Sequence, residues 1–192
     1  MAQVRGAQVR GAQVLGFGQR IGGVVQTAFV VADIHAAISH FQRDLGAGPF
    51  YLLEHFLGEG QVYRGAPSQA DVAIAMGFAG HMQIELIQPL DDHPSVYRET
   101  IEQRGYGFHH FGIAFEDVDA ALPGYLEGGH TLAFRAPVPT GGSVAYLDNA
   151  DPMGPGFLEL IPATEGMDTF FTAQWQAAQD WDGKTDPVRP FL

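Results

Sequence analysis

The sequence predicts an α+β fold made of two copies of one βαβββ module, followed by a helical extension. Three observations carry this. Gln26-Thr-Ala-Phe-Val-Val-Ala-Asp-Ile-His-Ala-Ala-Ile38 aligns without gaps on His110-Phe-Gly-Ile-Ala-Phe-Glu-Asp-Val-Asp-Ala-Ala-Leu122. Each copy closes on a similar apolar strand, Gln83-Ile-Glu85-Leu-Ile87 in the first and Phe157-Leu-Glu159-Leu-Ile161 in the second. Between the opening and closing strands, both copies show the same order of turn residues and apolar runs.

Residues 24–31 are β-branched and apolar, as in a strand buried on both faces. Asp33 is placed to cap a helix from 34 to about 45, stopped by Gly46 and Gly48. Phe50–Phe56 reads as a strand, and the glycine-rich 57–69 stretch as a loop or hairpin. Strands follow at 70–78 and 82–88. Asp92, or Pro94 in the first turn, opens a helix to Arg104, with the Asp91-Asp92 pair as its cap. The second copy repeats the order: a strand at 108–115, a helix from Asp117 to about Glu127, then strands near 131–136, 143–148 and 156–161. In the tail, Met167, Phe170, Phe171, Trp175, Ala178 and Trp181 fall at helical spacing, an apolar stripe that reads as packing or a dimer face. The expected organisation is an arm over 1–20, one domain over 21–163 and a helical extension over 164–192. The domain comprises modules 21–90 and 107–163 and a linker helix over 92–105. The arm holds a pentapeptide repeat with glycine at every fifth position, which works against a helix.

Composition narrows the function. The net charge of −12 disfavours nucleic acid and anionic membrane surfaces as partners. Lys184 is the only lysine, which disfavours Schiff-base chemistry. With no cysteine, any metal must be held by imidazole, carboxylate and amide groups. No apolar run approaches the roughly 18 residues of a membrane span, and no secretory h-region opens the sequence. The expectation is a cytoplasmic homodimer that takes a small-molecule substrate.

The repeat pairs Gln26 with His110 and Glu85 with Glu159. Under a pseudo-twofold axis all four converge on one point. Glu85 and Glu159 each sit between apolar neighbours, and a buried unpaired carboxylate costs several kcal/mol, about as much as a lost ion pair. A cation is the natural partner, although a carboxylate lining a wet cleft remains open. Read alone, His110 is a hydrogen-bonded core histidine and Gln26 a strand amide bonded to backbone; read beside the two glutamates, both become metal ligands. Strand alternation turns His109 away from His110. Tyr51, His55, Tyr63, His93 and Tyr146 lie in strands or loops that could rim a cleft and touch substrate.

The paired modules, with ligands on first and last strands, resemble the vicinal oxygen chelate superfamily, which includes glyoxalase I, methylmalonyl-CoA epimerase, extradiol dioxygenases and bleomycin-resistance proteins. Gln26-Thr-Ala-Phe-Val-Val-Ala-Asp is similar to the first strand of glyoxalase I. Gly107-Phe-His-His-Phe-Gly-Ile-Ala is similar to the third-ligand strand of glyoxalase I and the epimerase, and Ile87-Gln-Pro-Leu-Asp-Asp-His-Pro-Ser is epimerase-like. The resemblance spans about residues 22–162. It implies a cup-shaped mixed sheet and one divalent ion per chain, Zn, Mn, Co, Ni or Fe, on Gln26, Glu85, His110 and Glu159. It also implies an isomerase, epimerase or lyase in which Glu85 and Glu159 move a proton next to a carbonyl. Val30, Tyr106 and Pro89 stand where glyoxalase I carries its glutathione-clamping residues, so glutathione dependence is not expected. The alternatives are a ring-cleaving extradiol-type dioxygenase and a non-catalytic binding or resistance protein.

Overall fold

The computed structural model describes residues 13–149, 154 and 156–191. The first module contributes β1 (Val24–Val30), α1 (Ile34–Leu45), β2 (Phe50–Phe56), a small hairpin of β3 (Val62–Tyr63) and β4 (Ala66–Pro67), β5 (Val72–Ala79) and β6 (Met82–Pro89). Helix α2 (Val96–Arg104) leads to β7 (Gly107–Phe115), α3 (Val118–Glu127), β8 (His130–Pro137), β9 (Ser143–Asn149) and β10 (Phe157–Pro162). Helix α4 (Glu165–Gln179) and β11 (Val188–Pro190) follow.

All strands join one mixed, cup-shaped sheet in the order β11-β2-β5-β6-β1-β7-β10-β9-β8-β3-β4. The modules meet where β1 pairs antiparallel with β7, and each of these strands pairs in parallel with the last strand of its own module. The equivalence is exact at the level of caps as well. Asp33 accepts a hydrogen bond from Ala36 N at 2.9 Å, and Asp117 accepts one from Ala120 N at 3.0 Å. Each aspartate satisfies a helix-start N–H that has no helical partner.

Inward side chains of both modules, among them Ala28, Val30, Ile74, Ile87, Phe134 and Tyr146, form one apolar cluster in the cup. On the outer face, Ile34 and Ile38 of α1 pack with residues of β5 and β6, and Val118 of α3 packs with residues of β9 and β10. Each fully buried aliphatic side chain of this kind contributes about 1.5–3 kcal/mol. The hairpin reaches across from the first module to pair β3 with β8 of the second.

Three expectations are corrected here. Residues 1–12 of the anticipated arm lie outside the described residues, but within 13–20 two side chains, Leu15 and Phe17, are buried. Leu15 stands where the two earlier repeat units carry arginine, and it is buried together with Phe17 against Phe78 and Phe171. The α2 cap is Ser95, which accepts from Arg98 N at 3.2 Å. Asp91 instead accepts from the backbone N–H groups of Asp71 and His93, while Asp92 pairs with Arg98. The tail adds a strand as well as a helix. Between them Trp181, beyond the end of α4, donates to Thr185 O at 2.7 Å. β11 then pairs in parallel with the edge strand β2.

Candidate functional site

Four central strands, β6, β1, β7 and β10, bring the repeat-paired residues together. The register is the same in both halves: Glu85 lies beside Ala28, and Glu159 lies beside Gly112. Gln26 lies opposite Gly112, and His110 opposite Ala28. A side chain at Gly112 would come within 2.9 Å of Gln26 Oε1, so its absence makes room for the Gln26 amide.

The donors of Glu85, His110 and Glu159 lie within 4.8 Å of one another. His110 Nε2 is 3.0 Å from Glu159 Oε2, 3.4 Å from Glu85 Oε2 and 3.1 Å from Gln26 Oε1. All four residues are buried, at 5% exposure or less. The orientation of Gln26 is set from behind: its Nε2 donates to Gln83 Oε1 at 2.9 Å, and Gln83 Nε2 donates to Gln174 Oε1 of α4 at 2.9 Å. The Gln26 oxygen therefore faces the cluster.

His109 sets the orientation of His110. The pairing of β1 with β7 slips between His110 and Phe108, leaving His109 as the extra residue of a β-bulge. The bulge breaks the strand alternation and corrects the expectation that His109 faces away. Its ring is buried, with Nδ1 2.7 Å from His110 Nδ1 and Nε2 3.3 Å from Val96 O. Burial, and then the neighbouring His110, hold His109 well below its usual pKa, so it is neutral. A carbonyl only accepts, so His109 Nε2 carries the proton and its Nδ1 accepts from His110 Nδ1–H. With its Nδ1 engaged in this way, His110 turns its Nε2 toward the three oxygens.

This donor set fits a divalent cation. Four electron-pair donors face one point, and Glu85 Oε2 has no hydrogen-bond partner. Burial, and then the charge of Glu159, push the Glu85 carboxyl well above the usual carboxylate range. A proton on His110 would leave the two carboxylates with a net buried negative charge, whereas a divalent ion balances both. Nitrogen and oxygen donors of this kind suit Zn, Mn, Co, Ni and Fe(II).

The sequence matches the family model described as Glyoxalase/Bleomycin resistance protein/Dioxygenase superfamily over residues 25–146. The chain belongs to this superfamily. Curated proteins give no match. Among solved structures, methylmalonyl-CoA epimerase from Mycobacterium tuberculosis is similar at 21% identity and a TM-score of 0.55, covering 76% of this chain and 91% of its own. A hypothetical protein from Bacillus halodurans C-125 is similar at 22% identity and a TM-score of 0.55, covering 74% and 95%. A variant of the Streptomyces coelicolor epimerase, in complex with 2-nitronate-propionyl-CoA, is similar at 18% identity and a TM-score of 0.53, covering 75% and 99%. At these identities the likeness establishes the fold.

The cup encloses a chamber, and Gln26, Glu85 and Glu159 line it together with Tyr97, Phe134 and Tyr146. Tyr146 is thus the one residue of the five anticipated substrate contacts that lines it. Tyr51 lies beneath Arg189, its hydroxyl 3.4 Å from the guanidinium, and does not line the chamber. His55 is exposed and pairs with Asp71 at 2.7 Å. Tyr63 donates to Glu99 at 2.7 Å, and His93 pairs with Asp91 at 3.1 Å. Arg64, which bridges Glu99 and Asp148, helps fasten the hairpin that carries Tyr63 to α2 and β9.

Sequence reading missed Tyr97, Phe171 and Phe191. Tyr97 directly follows Val96 at the α2 start, and the Ser95 cap, had it been assigned, would have turned it inward. Burial first, then Glu85, raises the Tyr97 pKa; burial first, then Glu159, raises that of Tyr146. Both hydroxyls keep their protons beside the glutamates.

Proposed function

We propose that the protein is a metal-dependent isomerase or epimerase, with a lyase as a close variant, that moves a proton on the carbon next to a carbonyl. The supporting observation is the buried pair Glu85 and Glu159, one from each module, facing each other across His110. Gln26, Glu85, His110 and Glu159 would hold the ion. When bound, the ion polarises a carbonyl oxygen and stabilises an enolate. The two glutamates stand in symmetric positions on β6 and β10. One accepts the carbon-bound proton; that glutamate returns it to the same face, or the other, carrying a proton of its own, delivers that proton to the opposite face. Tyr97 and Tyr146 remain protonated and offer neutral hydrogen-bond donors to substrate oxygen. The apolar wall excludes water from the exposed carbanion. The superfamily membership and the epimerase fold neighbours agree with this reading.

The donor set favours proton transfer over ring cleavage. The facial triad of oxygen-activating iron enzymes uses two histidines and one carboxylate. Here the second histidine, His109, is engaged at both ring nitrogens. The deciding experiment is incubation in deuterium oxide with hydroxy ketones, keto acids and 2-substituted acyl thioesters. Carbon-bound deuterium should appear next to the carbonyl, equally without oxygen, and should stop on chelation. Substrate-dependent oxygen uptake with catechols and no exchange would favour the dioxygenase alternative.

Gln26 is a weaker ligand than either glutamate, because a neutral oxygen attracts a cation less. Gln83→Ala removes the acceptor that holds the Gln26 amide, and should lower metal affinity by about 10–100-fold, the usual cost of losing a group that orients a ligand. Competition against a chelator of known affinity checks this. Unchanged affinity in Gln83→Ala and Gln26→Ala alike would remove Gln26 from the ligand set.

The glutathione hemithioacetal of methylglyoxal should be a poor substrate. Val30 is fully buried, Tyr106 is exposed, and among the described residues no lysine or arginine lines the chamber to receive glutathione carboxylates. Efficient glutathione-dependent lactoylglutathione formation would contradict this.

A further inference from the structure

We infer that the substrate presents to the chamber an uncharged, largely hydrocarbon body, with no carboxylate or phosphate next to the reacting carbon. We also infer that Phe191 and Phe171 of the C-terminal segment set the size of that body. The inference deepens the proton-transfer reading and rests on it for the location of the reacting carbon.

The first argument is charge. The chamber wall is built of Leu53, Phe56, Ile74, Met76, Phe134 and Val144, among other apolar groups, and among the described residues no lysine, arginine or histidine lines it. Its polar side chains are Gln26, Glu85, Glu159, Thr140, Tyr97 and Tyr146. A divalent ion against two glutamates brings the centre to net zero. A substrate carboxylate placed here would turn the neutral centre into a net buried negative charge that no lining lysine or arginine balances, at a cost of roughly several kcal/mol. A neutral carbonyl compound meets what the wall offers: apolar surface, and hydroxyl donors for an oxygen.

The second argument is the doorway. Leu53, Pro139 and Phe191 line both the chamber and an open groove outside it. The Arg189 guanidinium and the His55 imidazole lie in the groove, on the outer side of that wall. Phe191 is 7% exposed and held firmly, since its N–H donates to Leu52 O at 3.1 Å and its ring lies 4.6 Å from that of Phe170. Phe171, also lining the chamber, packs on Phe17 with centroids 5.8 Å apart. Both phenylalanines lie outside the residues matched by the family model, so this closure belongs to the segment after the shared fold. A charged handle, if the substrate has one, remains in the groove.

The test uses the full metal-loaded chain and matched ligand pairs that differ in one charge. The pantetheine thioester of 2-phenylpropionic acid is set against that of phenylmalonic acid, and methyl mandelate against mandelate. Calorimetry reads binding, and proton exchange in deuterium oxide reads turnover. The neutral member of each pair should bind at least about tenfold tighter, with little dependence on salt. Phe191→Ala should weaken the phenyl ligands and shift preference toward bulkier neutral ones. Phe191→Leu, checked by melting temperature, should show a smaller shift of the same sign if Ala proves unstable. Equal or tighter binding of the carboxylates, or no binding by any neutral member, overturns the inference. Neutral binding without exchange leaves it standing and counts against the proton-transfer reading alone.

Discussion

Glu85→Gln and Glu159→Gln should each lower turnover by roughly 10²–10⁴-fold, the range contributed by a positioned general acid or base. Glutamine keeps the shape and one oxygen of glutamate but cannot take a proton from carbon. The expected signature separates two roles. If a glutamate acts only through the metal, adding excess metal restores its variant. If it also moves a proton, the saturated variant stays slow. The two variants should differ from each other in an epimerase, because each glutamate then serves one face of the substrate. Exchange in deuterium oxide followed separately for the two substrate enantiomers reads this. Loss of exchange from one enantiomer in Glu85→Gln, and from the other in Glu159→Gln, is the expected pattern. Full activity on an identified substrate in both variants would end the proton-shuttle assignment.

Much of this centre was legible before any coordinates, because it is written as a repeat. Two aligned copies force equivalent positions onto equivalent strands, and a twofold relation brings β1 beside β7. The observed register follows that logic: Glu85 against Ala28 and Glu159 against Gly112 are the same pairing in each half. Strand-by-strand alternation, in contrast, failed at His109. Alternation assumes an unbroken ladder, and a single bulged residue sends two neighbouring histidines to the same side. Nothing in the order Phe108-His-His-Phe111 announces a bulge. The Gln26–Gln83–Gln174 chain was half legible. Gln83 and Glu85 share one strand face by period, but Gln174 arrives from α4, whose docking depends on tertiary packing. β11 was hidden for a similar reason. Its pairing uses backbone groups offered by the exposed edge of β2, and Pro187 and Pro190 argue locally against a strand. Tyr51, His55, Tyr63 and His93 do not line the chamber; a place in a strand or loop near a cleft does not say which way a side chain pairs. His55 and Tyr63 find partners, Asp71 and Glu99, too distant in sequence for any spacing rule to link them, whereas His93 pairs with its near neighbour Asp91.

Removing the metal should lower the melting temperature, and the loss should grow as pH rises. Purified protein should carry about one divalent ion per chain by elemental analysis. An ion present at about a hundred times its dissociation constant stabilises the fold by about 2.7 kcal/mol. For a chain of this size each kcal/mol moves the midpoint by about 2–4 °C, so chelation should cost roughly 5–11 °C. The pH dependence comes from Glu85. In the metal-free chain, burial and then Glu159 hold its carboxyl well above the usual range. Its folded pKa thus exceeds its unfolded value of about 4.3. The folded state binds more protons between those two values, so metal-free stability is fully present below the unfolded pKa and is lost as pH rises through the folded one. Metal binding removes this loss, because the ion takes the place of the proton. Melts of loaded and chelated protein across mildly acidic to mildly alkaline pH, compared as differences, cancel the other titrating groups. The gap should widen with pH. A gap that stays constant, or a chelated protein that melts unchanged and does not respond to added Zn, Mn, Co or Ni, would mean that Glu85, His110 and Glu159 face one another for a reason other than a metal ion.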